Sequence, residues 1–88
     1  MYLSMNLSEN VINVVSWVTK INPKRICMST ALKDDLQLDD IDTMSITLEI
    51  EKWFNIELTK EDAAQIETVK DLQDLVYKYK YSRQHQAA

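Results

Sequence analysis

The chain has 88 residues, 45% of them hydrophobic, which allows one domain with a single small core and is too apolar for a disordered chain. It contains no glycine and one proline, a composition that disfavours the tight turns of a β-rich domain and favours helices joined by short loops. The formal net charge is −4, and the sequence has no apolar run long enough to span a membrane.

Negative charge is concentrated in the middle of the chain. Between Lys33 and Asp74, thirteen acidic side chains stand against four lysines, whereas the remaining residues carry six basic side chains and one acidic side chain. Because such a surface repels phosphate backbones, we expect no nucleic-acid binding. The same surface would attract a basic protein surface and accelerate the encounter with it.

The single cysteine bears on the compartment. Cys27 has no second cysteine with which to form an internal disulfide, which fits a reducing cytoplasm. We expect its side chain to be a small buried apolar group rather than a reactive thiol. The opening residues MYLSMNLSEN lack the basic and apolar regions of a secretory signal. We therefore expect a cytoplasmic monomer with one domain over residues 1–88, ordered from about residue 6 to residue 80.

The first helix is predicted to begin at Asn6, because Asn6 and Glu9 have the spacing of a capping box. Its apolar stripe is formed by Leu7, Val11, Val15 and Val18. Asn22-Pro23 ends this segment, since the residue before a proline is pushed out of the helical region. Residues 22–38 are then predicted to be a long connection, and a connection of this length in a small domain often has a function.

The second predicted helix has two apolar faces. It starts with Asp39 as N-cap and runs to about Phe54, with Asn55 a suitable residue for its end. The larger face, which we expect in the core, is formed by Ile46, Ile50, Trp53 and Phe54. The smaller face, nearly opposite, is formed by Ile41, Met44 and Leu48.

The smaller face has two interpretations. Either the long connection or the third helix covers it, or it is a docking strip for a partner protein. The two can coexist if Ile41 turns inward while Met44 and Leu48 stay accessible. Methionine suits a surface that adapts to several partners. The charged rim of such a strip is formed by Asp39, Asp42 and Glu51.

Two further helices follow. Thr59 and Asp62 have the spacing of an N-cap and its acidic partner, which predicts a short third helix. The same pattern recurs at Thr68, and the fourth helix has an apolar stripe formed by Val69, Leu72, Val76 and Tyr79. Residues 80–88, KYSRQHQAA, have no periodic apolar face and are expected to fray.

Several segments resemble the acyl carrier protein family. LQLDDIDTM, residues 36–44, is similar to the family's Asp-Ser-Leu-Asp signature at the start of the second helix. FNIEL (54–58) resembles the family's turn into the third helix, and EDAAQIETV (61–69) resembles its passage into the fourth. The resemblance covers about residues 7–79. It implies an all-α four-helix bundle with a short third helix, which presents a tethered acyl chain to enzymes and is not itself an enzyme.

The resemblance places the attachment point of 4′-phosphopantetheine at Asp40, where the family has a serine. Attachment needs a hydroxyl oxygen that attacks the pyrophosphate of coenzyme A, whereas a carboxylate would give an acyl phosphate that hydrolyses readily. We therefore expect no arm on this chain as written, and 4′-phosphopantetheine only if residue 40 of the native protein is serine. Asp40 does suit the first turn of a helix, where it interacts favourably with the helix dipole. Thr43 and Ser45 do not match the family's attachment site.

Other positions also depart from the family pattern. Gln37 replaces the usual glycine, Ser45 stands where a glutamate is common, and Lys52 reverses an acidic position. The resemblance implies basic surfaces of acyl-transfer and synthase enzymes, and a phosphopantetheinyl transferase, as partners. The partner-binding residues expected on the second helix are Asp39, Ile41, Asp42, Met44, Leu48 and Glu51.

Three functions follow from this pattern. The first is a carrier in fatty acid, polyketide or related acyl metabolism, and the second is a degenerate carrier that acts as a non-acylated binding or regulatory module. The third, an enzyme, is disfavoured because the only histidine, His85, lies in the predicted tail and there is no glycine-rich phosphate loop or Cys/His metal spacing. The carboxylates between residues 34 and 42 could bind a divalent cation loosely, but we expect solvated charge and no metal site.

Overall fold

The structure is a computed structural model that describes residues 7–81. Within that range it contains four α-helices, one 3₁₀ turn at Pro23–Arg25, and no strand beyond an isolated antiparallel bridge between Ala31 and Thr68. The helices are α1 (Leu7–Thr19), α2 (Asp40–Phe54), α3 (Lys60–Ala64) and α4 (Val69–Tyr81). The predicted all-α bundle with a short third helix is confirmed. The predicted cap at Asn6 and residues 82–88 lie outside the described range.

Capping boxes fix the starts of α2 and α3. The Asp39 carboxylate accepts a hydrogen bond from the N–H of Asp42 at 2.9 Å, and the Asp42 carboxylate accepts one from the N–H of Asp39 at 3.3 Å. Thr59 and Asp62 repeat this exchange in α3 at 3.0 and 3.1 Å. Each box satisfies two N–H groups that lack partners at a helix start. Both predicted N-caps are confirmed.

The other predicted helix ends are also present. Asn55 has left-handed backbone angles (φ 56°, ψ 52°) at the end of α2, a conformation that asparagine tolerates better than most residues. At the start of α4, Asp71 accepts a hydrogen bond from the N–H of Thr68 at 2.9 Å. Helix α4 continues through Lys80 and Tyr81 and is therefore two residues longer than the apolar pattern predicts.

The core lies between α1, α2 and α4, with the connection closing one side. Its buried apolar side chains are Val11, Val14, Val15, Ile26, Leu32, Ile46, Ile50, Phe54, Ile56, Val69, Leu72 and Val76. Burial of each of these side chains contributes roughly 1.5–3 kcal/mol. The Nζ of Lys80 donates to the carbonyl oxygen of Phe54 at 3.2 Å, so α2 and α4 end on the same side of the bundle.

Trp53 is the exception on the larger face of α2, because its side chain is 57% exposed. The prediction that it packs in the core is wrong. Ile46, Ile50 and Phe54 are buried and form a line at four-residue spacing. Each residue of this line lies about 40° further around the helix axis than the one before it. Phe54, the last of them, lies about 100° around the axis from Trp53. The buried side of α2 therefore rotates away from Trp53 before the helix ends.

Cys27 is also exposed, so the prediction of a buried apolar thiol is wrong. The preceding residue, Ile26, has an extended backbone and faces the core, and neighbouring side chains of an extended chain point to opposite sides. The Cys27 Sγ lies 3.2 Å from the Ser29 Oγ and 3.4 Å from the Thr30 Oγ1. Hydrogen bonds from Ser29 and then Thr30 lower the pKa of the Cys27 thiol below its ordinary value.

The connection between α1 and α2 is fixed against the start of α4. The carbonyl oxygens of Met28 and Thr30 accept hydrogen bonds from the N–H groups of Lys70 and Val69 at 2.9 and 3.0 Å. The N–H of Leu32 donates to the carbonyl oxygen of the residue before Thr68 at 2.9 Å, and the Leu32 side chain is buried. The long predicted loop is therefore pinned by backbone bonds and holds the start of α2 in place.

A pair of identical substitutions tests which face of α2 stabilises the fold. Ile50→Val should lower the free energy of unfolding by about 0.5–1.5 kcal/mol, because it removes a methyl group from the core. Ile41→Val, the matched control on the exposed face, should change it by less than about 0.5 kcal/mol. Urea unfolding followed by circular dichroism measures both. Equal losses for the two variants would contradict the orientation of α2.

Candidate functional site

Asp40 is the first residue of α2, and its side chain is 88% exposed. The Lys33 Nζ lies 2.5 Å from the Asp40 Oδ1 and donates a hydrogen bond to it. This hydrogen bond, and then the charge of Lys33, hold the pKa of the Asp40 carboxyl below its usual value. The same contact raises the pKa of Lys33. The position that the resemblance assigns to the arm is thus a charged carboxylate paired with a lysine.

Lys33 was not among the residues expected from the sequence at this site. It lies seven residues before Asp40, in the connection that precedes α2, so the periodicity of a helix or strand does not predict their contact. The two side chains meet because the connection turns back between them, and Gln37 takes left-handed backbone angles (φ 61°) within that turn. The only signal in the sequence was a lysine at the edge of the acidic segment.

The smaller apolar face of α2 is open to solvent. Ile41, Met44 and Leu48 are 73%, 62% and 51% exposed, respectively. The interpretation in which the connection or α3 covers this face is wrong, and Ile41 does not turn inward. Helix α2 buries the line through Ile50 on its other side, so these three side chains project away from the core. We call them the apolar strip.

A groove of about 290 Å³ runs beside the apolar strip, between α2 and α3. Its lining side chains are Asp40, Thr43, Met44, Thr47, Leu48, Lys60, Ala63, Ala64 and Ile66. Most of them present carbon atoms, and Asp40 and Lys60 are the two charged members. Asp40 therefore lines an apolar groove between α2 and α3.

Helix α3 forms the outer wall of the groove and is held there by polar contacts. Tyr79 of α4 donates a hydrogen bond from its hydroxyl group to the Asp62 carboxylate, which also belongs to the cap of α3. The Tyr79 hydroxyl is the main cause of the lowered pKa of Asp62, and the bonds from Thr59 also lower it, while partial burial opposes them. The charged form of Asp62 is therefore favoured in the folded chain.

The three acidic residues expected as a docking rim all have partners within the chain. Asp39 and Asp42 form the capping box of α2, and the Glu51 Oε2 accepts a hydrogen bond from the N–H of Leu58 at 2.8 Å. Asp39 is exposed, whereas Asp42 and Glu51 are half-buried. These carboxylates thus stabilise local structure, and their contact with a partner stays a prediction.

The alternative attachment points are poorly placed. The Thr43 hydroxyl group lies 3.0 Å from the carbonyl oxygen of Asp40 and 3.2 Å from that of Asp39, and it donates to these backbone oxygens. Ser45 is half-buried and lies more than one helical turn from Asp40. Neither hydroxyl replaces a serine at the first position of α2.

Residues 9–76 match the family model described as the phosphopantetheine attachment site. The chain belongs to the acyl carrier protein family. It is 31% identical over 71 residues to an acyl carrier protein of Coprothermobacter proteolyticus, a match that covers 81% of this chain and 87% of that protein. It is 29% identical over 72 residues to an acyl carrier protein of Chlorobium phaeobacteroides, with 82% and 92% covered.

A mitochondrial relative is also similar. The acyl carrier protein of Neurospora crassa mitochondria is 38% identical over 62 residues, which are 69% of this chain and 46% of that protein. Proteins of this family are carriers and not enzymes, so the chain is a carrier-type protein rather than a catalyst. The family carries 4′-phosphopantetheine as its prosthetic group and interacts with biosynthetic enzymes.

Within residues 7–81, the structure contains neither a cluster of metal ligands nor a membrane-spanning helix. Over residues 7–81, no group of three or more His, Cys, Asp or Glu side chains is arranged to hold a metal ion. Near α2, Asp35 accepts a hydrogen bond from the N–H of Ala31 at 2.8 Å, Asp39 and Asp42 form the capping box, and Asp40 pairs with Lys33. The helices of this same part are too short and too polar to cross a membrane.

Gln37, where the resemblance implies a glycine, allows a test of backbone strain. Gln37→Gly should raise the free energy of unfolding by up to about 1 kcal/mol, because left-handed angles disfavour a side chain by roughly 1–2 kcal/mol and the added chain entropy of glycine offsets part of this gain. Gln65→Gly is the matched control, since Gln65 has right-handed angles (φ −95°) and should gain nothing. Urea unfolding of both variants measures the difference, and a loss of stability in Gln37→Gly would show that its side chain matters more than its angles.

Proposed function

We propose that this carrier-type protein docks on basic surfaces of fatty acid or polyketide-type biosynthetic enzymes through α2, and that it cannot carry 4′-phosphopantetheine as written. The observation that carries the proposal is the exposed apolar strip of Ile41, Met44 and Leu48 beside Asp40. Exposed apolar side chains with a polar rim are typical of a protein interaction site. The proposed place of action is the cytoplasm.

Charge supports a basic partner. The chain between Lys33 and Asp74 carries thirteen acidic residues and four lysines, and helix α2 contributes Asp40 at its exposed start. A basic enzyme surface would be drawn to this region over a distance of about 10 Å at moderate salt. The apolar strip would then provide the contact that is buried after the encounter. Charge thus favours the encounter, and the strip favours the complex.

The groove between α2 and α3 supports a carrier role for the protein when residue 40 is serine. Residue 40 lies on the edge of the groove, and Met44, Leu48 and Ile66 line it. An arm attached there could lay apolar atoms against these side chains, and each buried CH₂ group contributes about 0.8 kcal/mol. The carboxylate of Asp40 supplies a negative charge at this position, but it lacks the hydroxyl group that attachment of the arm requires.

Restoring the hydroxyl tests the carrier role. Asp40→Ser, incubated with a phosphopantetheinyl transferase and coenzyme A, should gain the mass of one phosphopantetheinyl group, because serine supplies the attacking oxygen. The chain with Asp40 should gain no mass under the same conditions. Intact-protein mass spectrometry measures both. An unmodified Asp40→Ser protein, with a transferase that modifies a known carrier, would contradict the carrier role.

A second candidate function is a binding or regulatory module that carries no acyl group. The ion pair between Asp40 and Lys33 favours it, because the carboxylate at the proposed attachment position already has a partner within the chain. Such a module would occupy carrier-binding surfaces of enzymes without delivering a cargo. The two candidates share the docking surface. In the first, the protein carries an acyl group when residue 40 is serine, whereas in the second it carries none.

The docking surface itself is tested on the chain with Asp40. Met44→Arg should weaken binding to an immobilised phosphopantetheinyl transferase about tenfold or more, because it places a positive charge in the middle of the apolar strip. Trp17→Arg makes the same kind of change on the exposed side of α1 and should have little effect. Surface plasmon resonance measures both affinities. Asp42 is unsuitable for this test since its carboxylate caps α2. Similar affinities for Met44→Arg and the unchanged chain would contradict docking through the strip.

A further inference from the structure

We propose that Lys33 is an internal competitor for docking, because its ammonium group occupies the Asp40 carboxylate that a basic side chain of a partner enzyme would otherwise bind. The inference rests on the proposed docking of α2 on a basic surface. It assigns Lys33, which lies outside α2, a role in setting the affinity of that docking. The partner must displace Lys33 before its own cation can pair with Asp40.

Asp40 is the carboxylate at the start of α2 whose side chain is not used to cap the helix. Asp39 and Asp42 direct their side chains to each other's backbone N–H groups. The Asp40 side chain belongs to neither bond of this capping box, and among the described residues its one hydrogen-bonding partner is Lys33. A basic side chain that approaches the start of α2 thus meets a carboxylate for which, within residues 7–81, Lys33 is the competing donor.

The position of Lys33 is set by the backbone around it. Leu32, the preceding residue, is buried and bonded through its N–H group to the segment before α4. The N–H of Asp35 donates to the carbonyl oxygen of Ala31 at 2.9 Å, which closes the turn that follows. Lys33 is therefore anchored at its base, while its side chain is free to reach Asp40 or to swing into solvent.

The contact is suited to exchange because both of its ends are in water. The side chains of Lys33 and Asp40 are 59% and 88% exposed. Ion pairs with this exposure are weak and are screened by salt, so a partner's cation can replace the ammonium group without rearrangement of the fold. Lys33 would therefore reduce the affinity for a basic partner without preventing the complex.

The apolar strip favours partners whose cation lies beside an exposed apolar side chain. Asp40 is followed directly by Ile41, and both Asp40 and Met44 line the groove between α2 and α3. A partner that places an apolar side chain on the strip brings an adjacent cation to Asp40. The Lys33 ammonium group also feels the charge of Asp39, which helps to keep it near this end of α2 in the free chain. The partner therefore fits best as a surface with an arginine or lysine beside an exposed apolar side chain.

A double-mutant cycle tests the inference on the full chain, with an immobilised phosphopantetheinyl transferase as the probe. The four chains are the unchanged protein, Lys33→Gln, Asp40→Asn, and the variant with both substitutions. Lys33→Gln should raise the affinity about twofold to fivefold at low ionic strength, the range of an exposed ion pair. The same substitution in the Asp40→Asn background should give only the small gain that the change in net charge produces, since the carboxylate is no longer there to be released.

Lys70→Gln is the matched control for net charge. Lys70 is also an exposed lysine in an ion pair, with its Nζ 3.0 Å from the Asp74 Oδ2, but both residues are on α4. We expect it to raise the affinity less than Lys33→Gln does. Urea unfolding of every variant confirms that each chain is folded at the temperature of the binding experiment.

The outcomes separate the inference from the proposed function. Equal gains for Lys33→Gln with and without the Asp40 carboxylate would overturn the inference, because Lys33 would then act through net charge alone. A loss of affinity in Lys33→Gln would also overturn it, by making Lys33 a direct contact of the partner. Absence of binding by all four folded chains would instead contradict the proposed docking, and the inference with it.

Discussion

The line of Ile46, Ile50 and Phe54 along α2 is the constraint on which the rest of the structure depends. These three side chains are buried against α1, α4 and the connection, and together they fix the rotation of α2 about its own axis. A helix has only one buried side in a bundle this small, so the opposite side must face solvent. The exposure of Ile41, Met44 and Leu48 is thus a consequence of core packing and not a separate property.

The three acidic residues at positions 39, 40 and 42 have two different physical roles. Asp39 and Asp42 supply the capping box and so hold the helix start together, whereas Asp40 points outward and pairs with Lys33. The negative charge that the sequence concentrates here therefore serves local structure and an outward surface at the same time. A change at the capping positions would alter both, while a change at Asp40 leaves the capping box in place.

The chain has the helical fold of its family, and the resemblance implies an aspartate where the family has its attachment serine. The short α3, the groove beside residue 40 and the exposed face of α2 are all present, and the match to the family covers residues 9–76. The resemblance implies that Asp40 stands at the position of the family's serine and that Gln37, with its left-handed angles, stands at the position of a glycine. An aspartate at the attachment position would prevent attachment of the arm, but Asp40 is exposed and takes no part in the core of the bundle. A docking surface can consequently persist on a chain that carries no arm.

Local patterns in the sequence were sufficient for the helices and their ends. Asp39 with Asp42 and Thr59 with Asp62 are pairs three residues apart, and Asn55 needs only its own left-handed angles. Helix caps are predictable because the partners lie within one turn of the same chain segment. The fold class and the two opposite faces of α2 follow from periodicity in the same way.

Contacts between distant segments were decided only by the tertiary structure. Lys33 meets Asp40 because the pinned connection turns back at Gln37, and no periodic pattern links the two residues. Trp53 fits the helical wheel of the core face but is exposed, because the buried line drifts around α2 toward Phe54. Cys27 is exposed because the connection is extended beside it. Sequence periodicity determines which side of a helix is apolar, and only the packing of the other segments determines where that side is covered.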